Sequence, residues 1–121
     1  DVPFLCNIPR AARIAATPPY TAIATYLRLH RDRVEEAFRT LSYFDAAHHA
    51  TRATAPALFS VAMADDVCPP STCFTAYNRY AGPKDVRVYE FNGHEGGAEH
   101  HQAEQLAWVR DLFAGLPADR A

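Results

Sequence analysis

The sequence predicts an α/β fold, with parallel strands covered by helices on both faces, and three observations predict it. The short continuous apolar runs "VPFLC" and "PALFSVAM" have the length and composition of buried strands. Stretches of helical spacing separate the strand-like runs, so strand and helix alternate along the chain. Polar loops follow the second and third strands, where an open parallel sheet places its ligands.

Taken in order, "VPFLC" (2–6) reads as the first strand, and "AATPPY" punctuates it. Thr17 is placed to cap the following helix, with a proline tolerated in its first turn. From Tyr20 the residues Ile23, Leu27, Val34, Phe38 and Leu41 keep roughly helical spacing, as one long helix or two abutting ones. The charge run "RLHRDRVEE" in its middle sets Arg28 with Asp32 and Arg31 with Glu35 as i,i+4 pairs on a solvated face. "SYFDAAHHATRA" reads as a short helix and a loop, with His48 and His49 at the surface. "PALFSVAM" (56–63) is the strongest strand, followed by the loop "DDVCPPST". "STCFTAYNRYAG" reads as a helix capped by Ser71 or Thr72 and ended by Gly82. "DVRVYEF" is a third strand, rich in β-branched and aromatic residues. After a glycine loop, "AEQLAWVRDLF" carries Leu106, Val109, Leu112 and Phe113 on one stripe of a last helix.

Composition bounds the function. The 121 residues, 49% apolar and 21% charged, suit a single folded domain, residues 1–121, rather than a disordered chain. A formal charge of −2 provides no basic field for nucleic acid and no attraction to an anionic membrane. No apolar run reaches the ~18 residues of a membrane span, and no signal-peptide pattern opens the chain. The three cysteines, Cys6, Cys68 and Cys73, include no C-x-x-C pair, so reduced thiols in a cytosolic protein are expected. Three strands are few for such a sheet, and the chain begins directly in an apolar run. A fragment lacking upstream strands is therefore expected.

Asp65 follows the strand "PALFSVAM" and His94, in "FNGHEGG", follows "DVRVYEF". An acid after one strand and a histidine after the next is the order found in an α/β-hydrolase triad. A histidine acting as general base must keep one tautomer and tolerate becoming imidazolium, and a carboxylate on its other nitrogen provides both. No G-x-S-x-G elbow accompanies them: Ser60 lies within a strand, Ser71 is better placed as a helix cap, and Ser42 has no such context. A zinc site from His94, His100 and His101, with Glu95 or Glu99, is the rival from spacing, since imidazole and carboxylate suit that metal. Against it, H-E-G-G is not H-E-x-x-H, and its glycines break the helix that would set ligands at i and i+4. A stand-alone, non-catalytic α/β module is the third reading.

"DVPFLC", "FRTLSYFDAAHHATRATAPALFSVAMADDVCPPST" and "AYNRYAGPKDVRVYEFNGHEGG" resemble the acetyl xylan esterase and cephalosporin C deacetylase family, carbohydrate esterase family seven. The resemblance covers nearly the whole chain, with "CPPST", "AYN", "AGPK" and "NGHEGG" as its specific markers. It implies the C-terminal part of an α/β-hydrolase. The family's acid, in S-V-G-L-x-D before a C-P-P loop, falls on Asp65, and its histidine, in N-[GN]-H-E-G-G, falls on His94. The nucleophilic serine would belong upstream, so the 121-residue chain alone is expected to be inactive. Here Ala62 replaces the family's glycine, Ala64 replaces a bulky residue, Asp66 makes a tandem acid, and histidines appear in "GGAEHH" and "AAHH". None of these removes a triad member. The resemblance further implies removal of acetyl groups from small acetylated sugars, xylo-oligosaccharides and cephalosporin C, without cofactor or metal, by a cytoplasmic homohexamer.

Overall fold

The computed structural model describes residues 1–115. Helices α1 (Ile8–Ile14), α2 (Tyr20–Leu29), α3 (Val34–Leu41) and α4 (Ala46–His49) precede strand β1 (Ala57–Ala62), helix α5 (Pro70–Arg79), strand β2 (Lys84–Tyr89) and helix α6 (Ala98–Ala114). Among the described residues the sheet has two strands, β1 and β2, parallel, with Ala57 opposite Lys84 and Ala62 opposite Tyr89. Helix α5 makes the crossover between them, which is the β-α-β order read from the sequence.

Side-chain alternation along the strands puts a helix on each face. Phe59 and Val61 of β1 and Val86 of β2 pack toward α5, where Val61, Cys68 and Cys73 form a buried cluster and Phe59 meets Tyr77 edge-on at 5.4 Å. Arg87 and Tyr89 of β2 point the other way, to Glu104 and His101 of α6. Lys84 closes the C-terminus of α5, its Nζ donating to the carbonyls of Tyr77 and Tyr80, both at 2.8 Å. A cation there also opposes the negative end of the helix dipole.

Several local expectations change. Residues 2–6 form no strand: Val2 and Leu5 have positive φ, and the segment's amides bond side chains instead of a ladder. Val2 N–H donates to Ser60 Oγ (3.1 Å) and Leu5 N–H to Tyr20 Oη (3.1 Å). Helix α1, unpredicted, begins at once after Asn7, with Pro9 in its first turn. The helix after Tyr20 breaks at His30, so Arg33–Glu36, at 3.9 Å, is the ion pair formed there rather than the two i,i+4 pairs. Thr17 does not cap α2; its hydroxyl is buried without a partner among the described residues. Neither does Ser71 or Thr72 cap α5, whose N-cap is Pro69. The Thr72 hydroxyl donates to Pro69 O, and Ser71 Oγ accepts from Arg10. Gly82 lies beyond the end of α5, and a Cβ on it would stand 2.6 Å from Thr54 O. Helix α6 docks through His101, Gln105, Trp108 and Leu112, while Leu106, Val109 and Phe113 of the predicted stripe face outward.

One buried carboxylate holds the helical half. Asp45 Oδ1 accepts from Asn7 N–H and Ala47 N–H (both 2.9 Å), and Oδ2 accepts from Ile8 N–H (2.8 Å). It thus caps α1 and α4 together, 38 residues apart in sequence at its Asn7 bond. Asp45→Ala leaves three amide donors without this partner and is expected to cost about 3 kcal/mol, read by urea unfolding of the complete protein. A loss below ~0.5 kcal/mol would show that water replaces the carboxylate without penalty.

Candidate functional site

The carboxyl ends of β1 and β2 are stitched together beyond the ladder. Met63 N–H donates to Tyr89 O (2.9 Å) and Ala64 N–H to Asn92 O (3.0 Å), which brings the two loops side by side. On the β1 side, Asp65 is buried, with an inaccessible side chain. Its Oδ1 accepts from Val67 N–H and Cys68 N–H, both at 2.8 Å, the short-range turn that an aspartate favours. Its Oδ2 is left pointing to the β2 loop.

That loop presents His94. Its turn is closed by Gly96 N–H donating to Gly93 O (3.1 Å), and Glu95 Oε1 accepts from Asn92 Nδ2 (2.8 Å) and Gly93 N–H (3.2 Å). The following pair must be glycine. Gly96 and Gly97 have φ of +60° and +93°, and a Cβ on Gly97 would lie 2.5 Å from the Tyr89 ring. The backbone thereby turns into α6 while His94 stays on the outside of the bend.

Asp65 Oδ2 and His94 Nδ1 are 3.1 Å apart. An ionised carboxylate only accepts, so the shared proton sits on Nδ1 and the neutral ring keeps its lone pair on Nε2. The imidazole is half-exposed while its carboxylate partner is fully covered. One nitrogen is therefore anchored and the other is available at the surface. Of the two adjacent aspartates, Asp66 is exposed, and Asp65 is buried and makes the contact.

The other singled-out residues have different surroundings. Among the described residues, the three serines bond partners other than His94. Ser60 Oγ accepts from Val2, Ser71 Oγ accepts from Arg10, and Ser42 Oγ donates to Arg39 O. His101 is buried, and its two nitrogens are taken by Tyr89 Oη (2.9 Å) and Asp1 Oδ1 (2.7 Å). Burial holds its pKa down, so the neutral ring donates from Nε2 to Asp1 and accepts at Nδ1 from the Tyr89 hydroxyl. The histidine-rich zinc set read from spacing is thus not assembled: His101 has no nitrogen to spare, and His100 stands edge-on to Tyr89. All three cysteines are buried and free. Burial, then the Asp65 charge, pushes Cys68 up to about 11, so it sits there as a neutral thiol. A groove of about 420 Å³ between α2 and α3, lined by Ile23, Tyr26, Ala37 and Leu41, lies away from this pair.

Glu95 braces the loop around the histidine, a role not evident from spacing alone. The residue types carry the signal, an Asn and a Glu flanking Gly-His. The Asn92 amide holds the Glu95 carboxyl below its usual pKa. With a depressed folded value, the ionised brace is fully present above the ordinary carboxylate range and is lost as pH falls through the lowered one. Glu95→Ala is expected to blur the single His94 ring environment in the imidazole NMR spectrum at neutral pH, and Glu95→Gln, which keeps an acceptor oxygen, to preserve it. Identical spectra for both variants would remove Glu95 from any part in placing His94.

The pattern of the acetyl xylan esterase (AXE1) family matches residues 1–112. An acetyl esterase, Axe7A, of Xylanibacter ruminicola is 29% identical over 83 residues, which are 69% of this chain and 19% of that protein. The solved acetyl xylan esterase from Paenibacillus sp. R4 superposes with a TM-score of 0.84 at 41% identity, over 91% of this chain and 35% of its own. Acetyl Xylan Esterase 1 from Thermoanaerobacterium sp. superposes with a TM-score of 0.77 at 34% identity, over 90% of this chain and 36% of its own. The chain therefore spans about a third of the solved relatives and about a fifth of the curated one. Its helices and parallel strands are part of an α/β-hydrolase fold. Over nearly all of its described length, the chain belongs to the acetyl xylan esterase family.

Proposed function

We propose that the protein removes acetyl groups from small acetylated carbohydrates, xylo-oligosaccharides and the acetyl ester of cephalosporin C among them. In this reading His94 is the general base and Asp65 its orienting acid, in a triad whose serine lies outside these 121 residues. The observation that carries it is the 3.1 Å contact between a buried carboxylate and Nδ1 of an otherwise accessible imidazole, at the carboxyl ends of paired parallel strands. The names of the similar proteins, acetyl esterase and acetyl xylan esterase, indicate the ester class. A cytoplasmic homohexamer remains part of the proposal through the family resemblance.

The chemistry follows from the two nitrogens. His94 Nε2 takes the proton of the serine hydroxyl as its oxygen attacks the acetyl carbonyl, and the imidazolium is stabilised by Asp65 Oδ2. The same Nε2 returns the proton to the departing sugar oxygen, leaving an acetyl-serine. Water, deprotonated by Nε2, then attacks the acetyl carbonyl, and Nε2 returns that proton to the serine oxygen as acetate leaves. Asp65 does not change protonation state. It holds the ring while two backbone amides hold its other oxygen.

Substitutions in the complete protein separate the roles. His94→Ala is expected to lower kcat for an aryl acetate by about 10⁴–10⁶. Asp65→Asn should cost up to ~10⁴, because an amide N–H facing Nδ1 favours the wrong tautomer. Asp66→Asn should leave kcat within about twofold, since this exposed side chain takes no part in the step. Equal losses from the two aspartate changes would assign the acid to both.

The 121-residue chain assayed alone is expected to release no acetate above background, because its serines are bonded elsewhere. Acetate release by this chain that disappears in His94→Ala would place the nucleophile within it and overturn the assignment.

A further inference from the structure

The thiol of Cys68 joins the described pair, so that three different donor atoms converge. A carboxylate oxygen of Asp65, the thiol of Cys68 and a ring nitrogen of His94 all lie within 4.8 Å of one another. We infer that this trio is a binding site for a soft divalent cation of the zinc class, and that filling it breaks the Asp65–His94 hydrogen bond. The site itself stands on geometry. Its consequence for catalysis rests on the proposed hydrolytic role.

The donor set suits such an ion: one sulfur, one nitrogen and one oxygen, with a fourth tetrahedral position open to water. Two of the three donors are already fixed relative to each other. The Cys68 amide bonds Asp65 Oδ1 at 2.8 Å, so carboxylate and thiol share one tight turn, and both residues are buried. Cys68 O accepts from the Cys73 thiol at 3.3 Å, which ties the turn to the core. His94, by contrast, is half-exposed on a glycine-flanked loop and is the donor free to adjust. Zinc bond lengths of about 2.0–2.3 Å set tetrahedral donors roughly 3.3–3.8 Å apart, a spacing that the trio, all within 4.8 Å and with Asp65 Oδ2 and His94 Nδ1 at 3.1 Å, reaches by small shifts.

The ion and the hydrogen bond compete for the same atoms. Asp65 Oδ1 already accepts two amides, which leaves Oδ2 as the ligand, and Oδ2 is what holds His94 Nδ1. Coordination through Nδ1 requires its proton to leave, and the neutral ring is then protonated on Nε2. The Cys68 thiol binds as thiolate and gives its proton to solvent, so each ion bound releases one proton overall. No electron transfer is involved. An imidazole protonated on Nε2 cannot accept a hydroxyl proton there, so the filled site is a closed state of the base.

The test titrates zinc and cadmium into the metal-free complete protein by calorimetry, with ultraviolet absorption and imidazole ¹⁵N spectra recorded in parallel. The expected result is one equivalent bound, a thiolate-to-cadmium absorption band, and a His94 proton moved from Nδ1 to Nε2. Cys68→Ser should lose the band and weaken binding at least tenfold. His94→Ala, at an exposed position that leaves the core intact, should weaken it comparably. Magnesium should do nothing. Binding that is absent, or unchanged in both variants, overturns the site, and binding with the His94 tautomer unmoved overturns the competition. Esterase activity lost at the zinc midpoint and restored by chelator supports both the site and the hydrolytic reading. A protein that binds zinc as described, with its tautomer shifted, yet hydrolyses no acetyl ester, supports the site and refutes the hydrolytic reading alone.

Discussion

The carboxylate of Asp65 is the constraint on which the functional end of the molecule depends. Leaving water with a negative charge is costly unless the charge is fully hydrogen-bonded, and here three partners surround it. Two are backbone amides of its own loop, which fix the path of the chain from β1 toward α5. The third is the imidazole of a loop 29 residues away. Because one oxygen serves the backbone and the other the side chain, loop shape and histidine orientation are set by the same group. The strand-end bonds from Met63 to Tyr89 and from Ala64 to Asn92 keep the partner loop within reach.

Much of this arrangement was legible in the sequence, for physical reasons that differ by element. Strand β1 announces itself because a buried parallel strand has no polar face to interrupt its apolar run, and β2, where Asp85 and Arg87 alternate with Val86 and Val88, through its β-branched and aromatic residues. The Asp65–His94 juxtaposition follows, since parallel strands put their carboxyl ends on one side of the sheet and only the neighbouring loops need to meet. The segment at residues 2–6 misled because apolarity records burial and not conformation. Cys6 is fully buried, yet the backbone around it takes positive φ and bonds side chains far away in sequence. No local pattern encodes a strand replaced by such contacts.

Helix α1 and the caps escaped for a related reason. Asn7, a residue common at helix starts, stands just before it, yet the first amides bond Asp45 while the Asn7 side chain goes to Thr75 instead of its own helix. Helix α6 shows the limit of reading hydrophobic stripes. Its docking face includes a histidine and a glutamine at helical spacing, the histidine buried with both nitrogens satisfied and the glutamine, half-buried, donating to Asp1. His101 is bonded by Tyr89 and Asp1, and Arg87 meets Glu104 at 3.0 Å beside it. The apolar residues Leu106 and Phe113 on the other side carried the stronger signal and were the wrong guide.

The sharing of Asp45 between two helix starts has a consequence for how the molecule breathes. A cap belonging to one helix lets that helix fray by itself. A carboxylate that bonds Asn7, Ile8 and Ala47 at once makes release of either end an event felt by both, since the remaining bonds no longer balance its desolvation. Segments far apart along the chain are thereby merged into a single cooperative opening unit, and their protected amides should exchange with deuterium at a common rate rather than in succession from the chain end.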